Sequence, residues 1–129
     1  MSHPALDKFG RILMVEVRDA AIEEFRADVN GQGKSKRAQE IARLVSRAGP
    51  KARAVLLDLL PEIVDKTLHY LLWMLEQKGL AQRPEIEVQM RVGNKVVRNI
   101  AALSDGLCGE LYTEDGWIAR FSKEPPHPS

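Results

Sequence analysis

The chain is poor in the features that would place it quickly. Among its 129 residues there is one cysteine, Cys108. No intrachain disulfide can form, which removes the usual staple of small secreted domains and fits a reducing, cytoplasmic setting. Charge of one sign is missing too. Nineteen Lys and Arg stand against 18 Asp and Glu, a formal net charge of +1, and so small an excess argues against strong non-specific attraction to nucleic acid or acidic lipid. Long apolar runs are absent. The patch Ile12–Val15 is too short for a signal peptide. The region from Ala52 to Leu75 is broken by Asp58, Glu62, Asp65, Lys66 and His69, whereas a membrane span needs about 20 mainly apolar residues.

What remains is 44% apolar and 29% charged residues, a soluble globular composition. The length suits a single domain over 1–129, able to bury roughly two thirds of its unfolded surface without a metal or disulfide. A helical part is expected over about 4–79, a sheet part over 84–122, and a flexible tail over 123–129, where three of the seven prolines fall.

Leu13, Val17, Ala20, Ala21 and Phe25 recur at helical spacing, flanked by Met14, Arg18, Ile22 and Arg26, so a long amphipathic helix is expected there with Gly10 as its weak point. NGQGK at 30–34 reads as a turn, Ser35 as the cap of a second helix, and Gly49-Pro50 as its end. The stretch 51–78 is apolar around most of its circumference and should be the central element. Pro61 should split it into helices near 51–60 and 62–78, or kink it, and Gly79 should stop it.

Beyond Gly79 the period changes to two at Ile86, Val88 and Met90, the mark of a half-buried strand. Gly93-Asn94 suggests a turn into a returning strand at Lys95–Arg98, and Asn99 the cap of one helical turn through Ala102. Leu107–Tyr112 and Trp117–Phe121 read as two more strands joined by the loop TEDG, with Gly116 at a position that favours a positive φ. The expected fold class is α+β: an N-terminal helical layer or bundle packed against a small C-terminal antiparallel sheet of three to four strands.

Four patterns bear on function. GKS at Gly33, Lys34 and Ser35 imitates part of a phosphate-binding loop. Asp28 stands where that loop needs its first glycine, though, and the segment follows a helix rather than a strand. Asp58, Glu62, Asp65 and His69 form a ladder at intervals of four, three and four, one helix face that would suit acid–base chemistry or a metal held by Glu62, Asp65 and His69. The same strip is also what a solvated helix face needs. Lys34, Lys36, Arg37, Arg43 and Arg47 form a basic patch within 34–53 that could grip phosphate or an acidic partner, but no aromatic platform or zinc ligand set accompanies it. Cys108 has only His69 as a prospective base, and a buried structural thiol is the commoner arrangement.

The segment Ser104–Ser122 is densest in unusual choices. Its Gly106, Gly109 and Gly116 imply sharp turns or close approach, and Trp73, Leu107, Glu110, Tyr112, Trp117 and Arg120 are the candidate lining of a pocket or interface. The string SDGLCGELYTEDGWIARFS resembles the closing stretch of a family of small, largely uncharacterised bacterial proteins, among them immunity or accessory proteins. That resemblance implies no catalytic residues. The sequence therefore points to a non-enzymatic protein that binds another protein, through the basic helix and the 104–122 region, with no cofactor and no membrane contact. A homodimer is compatible with its surplus of apolar helix surface. A metal-dependent hydrolase built on the Asp/Glu/His ladder and nucleic-acid binding through 34–53 stand as the alternatives.

Overall fold

A computed structural model describes residues 3–76 and 86–126. The expected stop at Gly79, the start of the sheet part at 84 and His127 lie outside them. The first long helical stretch opens at Pro4, whose missing N–H is harmless in the first turn. It runs without interruption through α1 (Pro4–Ile12), a π-helical segment (Leu13–Asp19) and α2 (Ala20–Val29). Helix α3 spans Lys36–Ala48 and α4 spans Pro50–Glu76. Ser35 caps α3 as expected, its Oγ accepting from the Ala38 N–H at 3.0 Å. Gly49 ends α3 in a left-handed conformation, φ 99°, and Pro50 starts α4.

The π-helical segment reshapes the expected stripe. In an α-helix Leu13 and Val17 share a face. Widening the turn instead buries Leu13, Met14, Arg18 and Asp19, pairs five residues apart, and turns Val15 and Val17 outward. The buried side is thus Met14, Arg18 and Ile22, the residues expected to flank the stripe, while Ala20 and Ala21 face solvent and Phe25 is only half-buried.

Gly10 does not break the helix. It lies beneath the Trp117 indole, where any Cβ would collide with the ring. Pro61 neither breaks nor ends α4, which runs unbroken for 27 residues. The proline removes one donor, and packing on both sides of it, at buried Leu60 and half-buried Val64, holds the helix together.

The sheet is smaller than expected. Two strands, β1 (Met90–Val92) and β2 (Lys95–Val97), pair antiparallel with Arg91 opposite Val96 around Gly93-Asn94. The period of two is real at Val88, Met90 and Val92, all half-buried between exposed neighbours, but only from Met90 does the chain find a pairing partner. Asn99 caps a 3-10 turn at Ile100–Leu103, its side chain accepting from the Ala101 N–H.

The two further strands do not exist. The chain forms α5 (Gly109–Tyr112) and α6 (Trp117–Phe121), and the supposed hairpin loop joins them. Leu107 and Leu111 are buried, and so are the adjacent Trp117 and Ile118; neighbours in a half-buried strand would point to opposite faces, whereas a helical turn can bury both. Gly116 has an ordinary negative φ of −76°. It is needed because a Cβ there would press on the carbonyl oxygens of Glu110, Leu111 and Thr113. Among the described residues the result is an α+β fold of N-terminal helices with one two-stranded sheet. Its core joins Leu6, Leu13 and Met14 to Leu68, Leu72 and Leu75 of α4, closed by Leu107, Leu111, Trp117 and Ile118.

Candidate functional site

The polar ladder is divided by the helix that carries it. Asp65 faces inward, 2% exposed, while Asp58 and Glu62 face solvent and His69 is half-buried. Asp65 is committed to Arg18. The guanidinium donates from Nε to Oδ1 at 2.6 Å and from Nη2 to Oδ2 at 3.1 Å, a bidentate pair with Arg18 fully buried. The remaining donors of Arg18 hold the C-terminal segment: Ser122 Oγ at 2.6 Å, the Glu124 carbonyl, and the Pro125 carbonyl at 3.4 Å. Asp19 accepts from Ser122 Oγ and from the Lys123 N–H, the latter at 2.9 Å. This network ties the π-helical segment, α4 and Ser122–Pro125 together, and every polar group in it has partners. It explains why so polar a cluster survives burial.

Arg26 and Glu124 add an outer pair at 2.5 Å. That hydrogen bond holds the Glu124 carboxyl below the usual carboxylate range and raises Arg26 in turn. Among the described residues no group of three or more His, Cys, Asp or Glu is placed to hold a metal ion. The trio Glu62, Asp65 and His69 is not brought together. The Cys108 Sγ donates to the His69 main-chain carbonyl at 3.3 Å.

The residues expected to line a pocket at 104–122 are scattered. Leu107 and Trp117 belong to the core, with Trp117 0% exposed. Trp73 is 57% exposed, so the two tryptophans do not share a site. Glu110 accepts from Ser104 Oγ at 2.7 Å, and Arg120 pairs with Asp7 at 3.1 Å while lying over Phe121. These last groups border a cavity of about 510 Å³ lined also by Asp105 and Asp115. Its Asp7 and Glu110 are already engaged. The basic patch Lys34, Lys36, Arg37, Arg43 and Arg47 is exposed as expected, with Arg43 3.5 Å from Glu40. It does not join the 104–122 region. Helix α3 packs on α2 and α4, whereas α5 and α6 pack together and α6 sits on α1 and the π-helical segment.

The surplus of apolar helix surface expected from the sequence, of which the candidate residues include only Trp73, lies on the outer face of α4. Its inward side carries Leu60, Asp65, Leu68, Leu72 and Leu75. Its outward side carries Val55, Leu59, Ile63, Tyr70, Trp73 and Met74, all exposed, with Tyr70 at 66% and Ile63 at 54%. At 3.6 residues per turn these six fall within an arc of about 100°, interrupted only by Lys66. Asp58, Glu62 and His69 border one edge of the arc. There the Tyr112 ring lies 6.3 Å from His69, and its hydroxyl donates to the Asp65 carbonyl at 3.2 Å. Burial, with the carboxylates of Asp65 and Glu62 nearby, raises the Tyr112 hydroxyl above its ordinary value. The other edge meets an apolar groove of about 330 Å³ between α2 and α4, lined by Ala21, Phe25, Leu56, Leu60, Ile63 and Val64. The signal was present in the sequence: a helix apolar around most of its circumference leaves an apolar face exposed when only one of its sides is covered.

Among the described residues no helix is long and apolar enough to cross a membrane. No protein-family model, curated protein or solved structure matches the chain.

Proposed function

We propose that the chain acts by binding a protein, and that its working surface is the outer face of α4. The observation that carries this reading is the run of large apolar side chains at Val55, Leu59, Ile63, Tyr70, Trp73 and Met74, left in water by a helix whose opposite side already fills the core. A contiguous apolar face rimmed by charge is the signature of an interaction site. The partner it fits is another amphipathic helix, laid along about 30 Å of α4 at 1.5 Å per residue, with charges of both signs at its margin. Chemistry at the polar ladder is the weaker reading, because Arg18 occupies both oxygens of Asp65.

Affinity capture from nuclease-treated native extract, with the wild-type chain and Ile63→Asp side by side, tests this. A partner, including untagged copies of the chain itself, should be retained by the wild type and lost with Ile63→Asp. Equal retention by both chains, or none by either, contradicts the proposal.

A further inference from the structure

We infer that the occupant of the α4 face is a second copy of this chain, packed antiparallel to the first across a two-fold axis. This rests on the reading of that face as a protein-binding surface and adds the identity of the partner. The argument comes from the symmetry of the face itself. Positions Val55, Leu59, Ile63, Lys66, Tyr70 and Met74 are separated by four, four, three, four and four residues, a spacing that reads the same from either end. A two-fold interface must be self-complementary, with each residue facing the one related to it by the axis. Centred between Val64 and Asp65, an antiparallel pair sets Val55 against the partner's Met74, Leu59 against the partner's Tyr70, and Ile63 beside the aliphatic stem of the partner's Lys66.

Charge selects the same direction. Along the polar edge the acids come first, Asp58 and Glu62, followed by Lys66 and His69. Among the described residues Asp58, Glu62 and Lys66 form no ion pair within the chain. The antiparallel arrangement sets Glu62 beside the partner's Lys66 and Asp58 toward the partner's His69, each contact made twice. A parallel arrangement would oppose Lys66 to the partner's Lys66, like charge against like, and would turn Glu62 toward the partner's opposite edge, away from its Lys66. The area is adequate as well. The exposed parts of the six apolar residues amount to on the order of 600 Å², against about 800 Å² per partner in a standard interface.

Sedimentation equilibrium of the full chain tests the inference. The wild type should dimerise. Ile63→Asp, and independently Tyr70→Asp, should weaken the dimer by about a hundredfold, with helical circular dichroism unchanged because both positions are exposed. Glu62→Lys alone or Lys66→Glu alone should weaken it by about tenfold at low salt, and the double exchange should restore it. A wild-type chain that stays monomeric at high concentration overturns the inference. A double exchange no better than the single ones overturns the antiparallel arrangement. If the wild type is monomeric yet captures a different protein that Ile63→Asp loses, the second copy is wrong and protein binding stands. If it is monomeric and the two chains capture alike, both fail.

Discussion

Replacing Arg18 by Met should be among the most damaging single changes available in this chain. The methionine keeps much of the aliphatic stem and removes the guanidinium. Asp65, 2% exposed, then loses both of its charge-assisted hydrogen bonds at once, and Asp19, 3% exposed, loses the positive charge 3.8 Å away. Ser122 Oγ and the carbonyls of Glu124 and Pro125 lose the bonds from Arg18 in the same step, the first two keeping those they make with each other's residue. Breaking a buried pair by deleting one partner costs about 3–5 kcal/mol, because the surviving charge stays buried and uncompensated. Against a total stability of about 5–15 kcal/mol, that brings the protein close to unfolding at ambient temperature. Asp65→Asn should cost less, about 1–3 kcal/mol, since the amide still accepts a bond and Arg18 keeps Asp19 nearby. The double variant Arg18→Met/Asp65→Leu should recover much of the loss, because an apolar pair of similar volume carries no desolvation penalty. Equilibrium unfolding in guanidinium chloride reads these differences. The reporter is Trp117, fully buried, in a Trp73→Phe background that removes the exposed indole. An Arg18→Met cost below about 1 kcal/mol, outside the range of broken buried pairs, would refute the view that this network holds the C-terminal segment against the helices.

Three further outcomes follow from particular contacts. Gly10→Ala gains up to about 1 kcal/mol of helix propensity but drives a methyl into the Trp117 ring, so a net loss of about 1–2 kcal/mol is expected; thermal unfolding that rises instead of falling would contradict the packing. Ser35→Ala removes the acceptor for the Ala38 N–H and should lower stability by about 1 kcal/mol, whereas Ser35→Asp should retain it. The Glu124 carboxyl is held below its ordinary value near 4.5 by Arg26. Its contribution is therefore present above that pH and is lost as pH falls through the lower folded value. An NMR titration should show Glu124 moving up toward 4.5 in Arg26→Gln, and an identical titration in both chains would exclude the pairing.

Much of the helical half was legible in the sequence. Ser35, Gly49 and Pro50 announce the limits of α3 through local chemistry that tertiary packing has no reason to override. Asn99 and Gly93-Asn94 announce the 3-10 turn and the hairpin in the same way. The π-helical segment was not legible. It buries Arg18 against Asp65 of another helix, forty-seven positions away, a contact that local periodicity does not announce. Nor were α5 and α6, because segments of four and five residues are too short for their period to separate helix from strand. The candidate site shows the same division. Apolar character around α4 was plain, but which side would meet the core and which would meet water depends on where α1 and Trp117 land. The ladder of Asp58, Glu62, Asp65 and His69 was read as one face, yet Asp65 lies just far enough around the helix to be drawn inside by Arg18.

Inter-chain distances measure the arrangement of α4 directly. Spin labels would be placed singly at Thr67→Cys and at Ala52→Cys in a Cys108→Ser background, since Cys108 is the one native thiol. Both positions are exposed; Thr67 flanks the apolar stripe and Ala52 lies one turn beyond its N-terminal end. With 1.5 Å of rise per residue and helix axes about 10 Å apart, antiparallel pairing about the 64–65 centre places the two 67 backbones roughly 12 Å apart and the two 52 backbones roughly 39 Å apart. A short distance at 67 with a long one at 52 is the predicted result. Equally short distances at both positions, or no inter-chain distance at either, would contradict it.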